Sequence, residues 1–297
     1  MKEKDKRFIV TDIFLIILAV LPIVFGIVLY ILTKPPADGI EITGARIYFT
    51  INTPIQPLPI TESQVNSWLV MLSIFWLCLF ITHGIKERPD SKRQHLAEWI
   101  VEKTEELVKS NMGEFFGGFA PFIAAIMGLS AFSSLITLFG LYPPTSDLNV
   151  VGGWALAVFF LITHYKMKCG FPHYLKSFAD PPLLAPINVI SEISTPISMA
   201  FRHYGNVLSG TVISVLIAAG LGGLSSMLLG WLPGALGDIP FLRIGIPAIL
   251  SVYFDIFSGC LQAFIFAMLT MLYVSNGFAA DDYQKYLARK KGRKKTA

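Results

Sequence analysis

Arg202 stands in a long apolar run, 181–237, in which Glu192 and His203 are the only other acidic, basic or histidine residues. Asn206 and Ser209 follow it at i+4 and i+7, so three polar side chains share one helix face. A second apolar run, 244–280, carries a single charge, Asp255, with Gln262 seven residues further along the same face of an α-helical period. Arginine does not release its proton in a protein and cannot pass one along. It does favour the ionised form of a carboxylate brought beside it. Two polar stripes, one with a fixed cation, therefore suit a path for a proton or sodium ion. In that path Arg202 blocks a direct leak and discharges a moving carboxylate. A buried Arg202–Asp255 ion pair that only ties two helices together is the alternative the same residues allow. His203 points about 100° away from Arg202 and reads equally as a proton relay or as a packing histidine.

The elements that hold these groups must lie in lipid. Hydrophobic residues make up 54% of the 297 and charged residues only 15%, against about 25% charged in soluble domains. A charge at bilayer depth costs about 2.5 kcal/mol or more, so Glu192, Arg202 and Asp255 are functional candidates by default. The net charge of +4 does not point to nucleic acid. Four basic residues fall in 1–7, six in 86–109, three in 166–176 and seven in 285–295. That is clustering at segment ends, as the positive-inside rule requires. Cys78, Cys169 and Cys260 are far apart, with no CxxC or Cys/His grouping, and read as small apolar fillers. No metal and no cofactor are expected. His83, His95, His164 and His173 read as solvated tips, and Lys166, Lys168 and Lys176 as membrane anchors.

The first apolar run, 13–33, follows a basic start and is long enough to span the hydrocarbon core. A turn, LTKPPADG, follows it rather than a small-residue cleavage site, so a retained helix is preferred to a signal peptide. Residues 35–65 form a polar, turn-rich loop on the outer side with a short β-hairpin. Further spans are predicted at 66–85, with Trp68 as an interfacial anchor, at 118–141 and at 150–166. Between the second and third, Leu96, Ile100 and Leu107 recur at helical spacing among many charges, the pattern of an amphipathic helix on the cytoplasmic side. The run 181–237 is about twice what one crossing needs, so it folds back or tilts, with Gly220, Gly222 and Gly223 marking a bend between two helices. The run 244–280 also exceeds one perpendicular span. The fold class is an all-α membrane protein with about six crossings, including a long tilted or near-horizontal helical hairpin. Both termini then share a side with twenty basic residues, against three opposite, which makes that side cytoplasmic.

Four segments carry a family likeness. PINVISEISTPISMAFRHYGNVLSG (186–210) resembles the stator helix of subunit a of F-type ATP synthases, bacterial type, and LQAFIFAMLTMLY (261–273) resembles that family's last helix. YPPTSDLNVVGGWALAVFFLI (142–162) resembles its PTADLN turn and the span after it. ITESQVNSWLVM (60–71) resembles the start of its first common helix. The resemblance implies an ion-translocating subunit over 66–280, preceded by an extra helix at 1–34 and followed by a basic cytoplasmic tail at 281–297. It makes Arg202 the stator arginine facing the carboxylates of a rotor ring of c subunits, with Gln262 its neighbour. Asn206 and Asp255 would line the outer half-channel, Asp147 would lie near its mouth, and Glu192 would border the cytoplasmic exit. Ser209, Thr211 and His203 complete the expected pathway. Many relatives carry Glu or His where Thr211 stands, so Asp255 is expected to carry the titratable role alone. Other partners implied are the peripheral-stalk b subunits and membrane lipid, in the plasma membrane, and the chain catalyses nothing by itself. A secondary ion-coupled transporter is the alternative class. It would usually show two similar halves, and none is visible here. A membrane enzyme lacks support, since no HExxH or Ser/His grouping lies in the spans.

Overall fold

The computed structural model describes residues 3–33, 44–54, 56–87, 91–168, 170–178, 182–230 and 241–278. The expected tail at 281–297 lies outside these. Among the described residues, six helical stretches are long and apolar enough to cross a bilayer: Phe8–Thr33, Glu62–Thr82, Glu114–Phe139, Leu148–Met167, Ala185–Leu228 and Gly245–Gly277. With no water in the hydrocarbon core, each spanning segment must satisfy its backbone internally, which a helix does. The chain is therefore an α-helical, multi-pass membrane protein, and its outer surface is apolar accordingly. Val10, Ile13, Ile31 and Leu32 on the first helix are each more than half exposed.

Helix α1 (Glu3–Thr33) packs along α2 (Glu62–Thr82). The contact is close at Gly26, where an added Cβ would lie 3.0 Å from Leu69 and 3.2 Å from Leu141. At the other end of α1, Asp12 accepts from Arg93 at 2.9 Å and meets His83 Nδ1 at 2.9 Å, while Phe8 stacks on the His83 ring. His83 is thus a partnered junction residue rather than a solvated tip.

The expected hairpin forms from β1 (Ile47–Asn52) and β2 (Pro57–Thr61), antiparallel, with Ile47 opposite Thr61 and Asn52 opposite Pro57. It feeds directly into α2, which starts at Glu62, earlier than the boundary at 66. Glu62 and Ser63 read as loop because they are polar, yet they are buried, with Asn66, in the first turns of the helix. Polar residues are stable there because each has a partner; Asn66 Nδ2, for example, donates to the Tyr142 carbonyl at 2.8 Å.

Helix α3 (Lys92–Met112) is the amphipathic helix, capped at Ser91, whose side chain accepts from the Gln94 amide. Its apolar residues divide into two sets. Leu107, Val108 and Met112 join the core, whereas Leu96, Trp99 and Ile100 face outward. A 3₁₀ turn (Glu114–Phe119) leads to α4 (Ala120–Leu135), which tightens to 3₁₀ over Ile136–Phe139 and stops at Gly140. Gly140 is left-handed at φ 75°, a conformation that costs a side chain bearing Cβ about 1 kcal/mol or more. After a short 3₁₀ turn (Pro144–Ser146) come α5 (Leu148–Met167) and α6 (Phe171–Phe178).

Helix α7 (Ala185–Leu229) is one continuous helix of 45 residues. At 1.5 Å per residue it is about 68 Å long, more than twice the roughly 30 Å hydrocarbon core. The expected bend at Gly220, Gly222 and Gly223 does not occur. A glycine costs a helix about 1 kcal/mol relative to alanine, less than breaking backbone hydrogen bonds in lipid. The chain reverses after Gly230 and returns as α8 (Phe241–Ser251), a π-helical segment (Val252–Ser258) and α9 (Gly259–Gly277), packed against α7. The long hairpin is therefore formed by α7 with α8 and α9, not within 181–237. The core gathers one face from each of α3, α4, α5, α7 and α9, with Val108, Ile123, Val158, Met199, Phe266 and Met271 all buried.

Candidate functional site

Three contacts set how α7 meets the returning strand of the hairpin. An added Cβ at Gly210 would lie 2.9 Å from the Phe254 ring. One turn back along α7 and one turn on along its partner, Asn206 Nδ2 donates to Ser258 Oγ at 2.8 Å, and Ser258 Oγ to Asn206 Oδ1 at 3.2 Å. His203 meets Phe266 edge-on at 5.5 Å. The helices are antiparallel in a register that steps by one turn. Gln262 of α9 is buried, between Ser258 and Phe266.

Arg202 is exposed. Among the described residues it makes no ion pair, with Asp255 or any other carboxylate. The interhelical strut is therefore absent. Asp255 is half-buried and accepts a hydrogen bond from Ser251 Oγ. It lies in the π-helical segment, where i→i+5 turns take more residues per revolution and shift the face count between Asp255 and Gln262. His203, about 100° round the helix from the exposed Arg202, is fully buried. Its Nε2 is 3.2 Å from Ser130 Oγ, its ring is edge-on to Trp154 at 6.0 Å, and its Nδ1 has no partner among the described residues.

Near the middle of α7, Leu208 and Thr211 line a cavity of about 270 Å³ with Arg46, Glu62, Tyr142 and Ser146. Ser209 and Thr211 are exposed and donate to the carbonyls of Asn206 and Val207. Asp147 lies beside this cavity. Its side chain caps α5 through the Asn149 amide at 2.9 Å and accepts from Ser63 Oγ. Burial raises the Tyr142 hydroxyl above its ordinary pKa, and Asp147, Tyr204 and Glu62 raise it further. Toward the start of α7, Glu192 and Thr195 line a cavity of about 220 Å³ with Lys166, Tyr273 and Asn276. Lys166 Nζ donates to Glu192 Oε2 at 2.5 Å, while Oε1 is buried with no partner among the described residues.

The sequence-predicted residues thus fall into three groups along one helix pair. Glu192 lines one cavity. Arg202, Asn206 and Gln262 stand between the cavities. Thr211 lines the second cavity, with Asp147 beside it and Asp255 on the facing segment. Arg46, Glu62, Ser63 and Ser258 were not among the predicted residues. Glu62 and Ser63 lie inside the ITESQVNSWLVM segment, so a charge at the edge of an apolar run was the available signal.

Residues 64–275 match the protein family described as ATP synthase A chain. The chain belongs to this family. The subunit a-type chain is 32% identical over 264 residues to ATP synthase subunit a of Macrococcus caseolyticus, across 84% of this chain and 98% of that protein. It is 29% identical over 226 residues to ATP synthase subunit a 1 of Crocosphaera subtropica, across 75% of this chain and 89% of that protein. ATP synthase subunit a of Legionella pneumophila is 28% identical over 228 residues, 76% of this chain and 90% of that protein. Membership of the ATP synthase A chain family implies an assembly with other ATP synthase subunits. Arg202, Asn206, Asp147, Asp255 and Gln262 all fall inside the matched residues, whereas α1, the β-hairpin and Glu62 precede them.

Proposed function

We propose that this chain is the stator that carries a proton or sodium ion past Arg202, between the rotor-ring carboxylates of c subunits and two offset half-channels. One observation carries the reading. Arg202 is exposed on α7 between two separate cavities whose linings include polar and charged side chains, at Thr195 and at Thr211, each about 10–14 Å from it along the helix axis. A path interrupted in this way lets an ion cross only by transfer to a group that moves past the gap. A fixed guanidinium in the gap favours discharge of that group when it is a carboxylate. The outer half-channel runs by Asp147, Thr211, Ser209, Asn206 and Asp255, and the cytoplasmic one by Glu192. Both termini are cytoplasmic and the membrane is the plasma membrane, in keeping with the distribution of basic residues. The b subunits of the peripheral stalk hold the chain against rotation.

Arg202→Ala removes the barrier and the discharging charge together. Coupled ATP synthesis in membrane vesicles is expected to disappear, with ATP hydrolysis by the soluble sector retained. Normal ATP-driven pumping by that variant would overturn the assignment.

A further inference from the structure

The cavity at Thr211 has a wall that lies outside the family match. Tyr30, near the end of α1, lines it together with Arg46, Glu62, Leu208 and Thr211. Arg46 sits between the two other groups at the outer side. Its Cζ lies 4.7 Å from the centre of the Tyr30 ring, and its Nε and Nη2 reach the two Glu62 oxygens at 3.0 and 3.4 Å. The backbone repeats the link, with the Glu62 amide donating to the Arg46 carbonyl at 2.7 Å. The Glu62 side chain is only 3% exposed, and Arg46 Nη1 is buried with no partner among the described residues.

A guanidinium at the mouth of a pore excludes cations. A buried carboxylate held in a two-point fork cancels that field and fixes where the arginine sits. Thr211 brings only a hydroxyl, and among the described residues that line this cavity Glu62 is the one carboxylate.

We infer that Arg46 and Glu62 form a charge-balanced mouth to the outer half-channel, and that Tyr30 of α1 is the positioning residue that holds Arg46 there. The extra helix thus completes the ion pathway, beyond any part it has in lipid packing. This inference rests on the proposed ion path.

The sign of each substitution follows from the charges. Glu62→Gln leaves Arg46 uncompensated at the mouth and slows cation access. Arg46→Gln in the same chain removes that cation and relieves the block. Tyr30→Leu takes away the ring face and lets the guanidinium shift into the cavity, whereas Tyr30→Phe keeps the face.

The test uses the whole ATP synthase in liposomes, stripped of its soluble sector. Passive proton flux, and sodium flux in a parallel set, is driven by a potassium diffusion potential and normalised to the amount of this chain in each complex. Glu62→Gln is expected to lower flux about tenfold, the low end of the effect of a charge focused in a cleft, and the Arg46→Gln/Glu62→Gln pair to recover most of it. Tyr30→Leu is expected to lower flux, Tyr30→Phe to restore it, and Tyr30→Leu to add nothing in the Arg46→Gln background, as coupled residues require. Flux unchanged by Glu62→Gln overturns the inference. So does a double variant no faster than Glu62→Gln, since damage from a merely structural role is not relieved by a second loss. Absence of both ion fluxes in the unsubstituted complex would instead overturn the ion path itself.

Discussion

Arg202 has no counter-ion among the described residues, and the polar group nearest it in sequence on its own face is tied down instead. Asn206 exchanges two hydrogen bonds with Ser258, at 2.8 and 3.2 Å, so the amide is fixed one turn from the arginine while the arginine stays open. Ser258→Ala removes both bonds from a half-buried amide, at a cost of about 1–3 kcal/mol. The expected result is a severalfold fall in ATP-driven pumping, with ATP hydrolysis by the soluble sector retained. Unchanged pumping would show that the pair does not help to set the site. The polar stripe on α7 was legible from spacing alone, because Arg202 and Asn206 lie on one helix and 3.6 residues per turn relates them. Ser258 was not legible. It is an ordinary serine in an apolar run, and its partner lies 52 residues away, so only the antiparallel register of two helices makes it a site residue.

At the scale of elements, spans were legible because apolarity sums over about twenty residues, and errors at single positions average out. Ends and irregular turns were not. The start of α2 was misplaced because buried, partnered Glu62 and Ser63 look like loop, and the π-helical segment around Asp255 leaves no mark in composition. The glycines of α7 were read as a bend because the run 181–237 is too long for one crossing, although lipid enforces the helix through them. Continuity of α7 has a direct consequence. Nothing lies within 4 Å of a Cβ placed on Gly220, Gly222 or Gly223, whereas at Gly210 the Phe254 ring is 2.9 Å away. Gly220→Ala and Gly223→Ala should therefore assemble at least as well as the parent chain, each gaining up to about 1 kcal/mol of helix stability. Gly210→Leu should push the helices of the hairpin apart and lower the thermal midpoint of the complex. Loss of assembly on Gly220→Ala, with no loss on Gly210→Leu, would contradict the continuous helix.

For the molecule as a whole, α1 is held at both ends by polar contacts and along its length by packing. Near its start, Asp12 joins Arg93 of α3 and His83 beyond α2, while Arg93 also donates to the His83 carbonyl at 2.5 Å. Near its end, the Tyr30 ring lies under Arg46. Between them Gly26 lets the backbone close on Leu69 and Leu141. Polar anchors are placed at the two rims because the middle of a helix in lipid gains little from leaving lipid for another apolar surface. The Asp12 junction also ties the start of α1 to the amphipathic helix. The Asp12 and Arg93 side chains are 22% and 19% exposed, between the surface and buried limits for an ion pair, so breaking the pair costs about 2 kcal/mol. Asp12→Ala should therefore speed hydrogen exchange of the backbone amides in the first turns of α1 by about thirtyfold. Amides from Ile23 to Tyr30 should stay protected, because the Gly26 contact and the Tyr30–Arg46 stack do not depend on Asp12. Equal protection throughout α1 in that variant would mean that packing alone holds the helix, and exchange that rises along its whole length would mean that the two anchors are one cooperative unit.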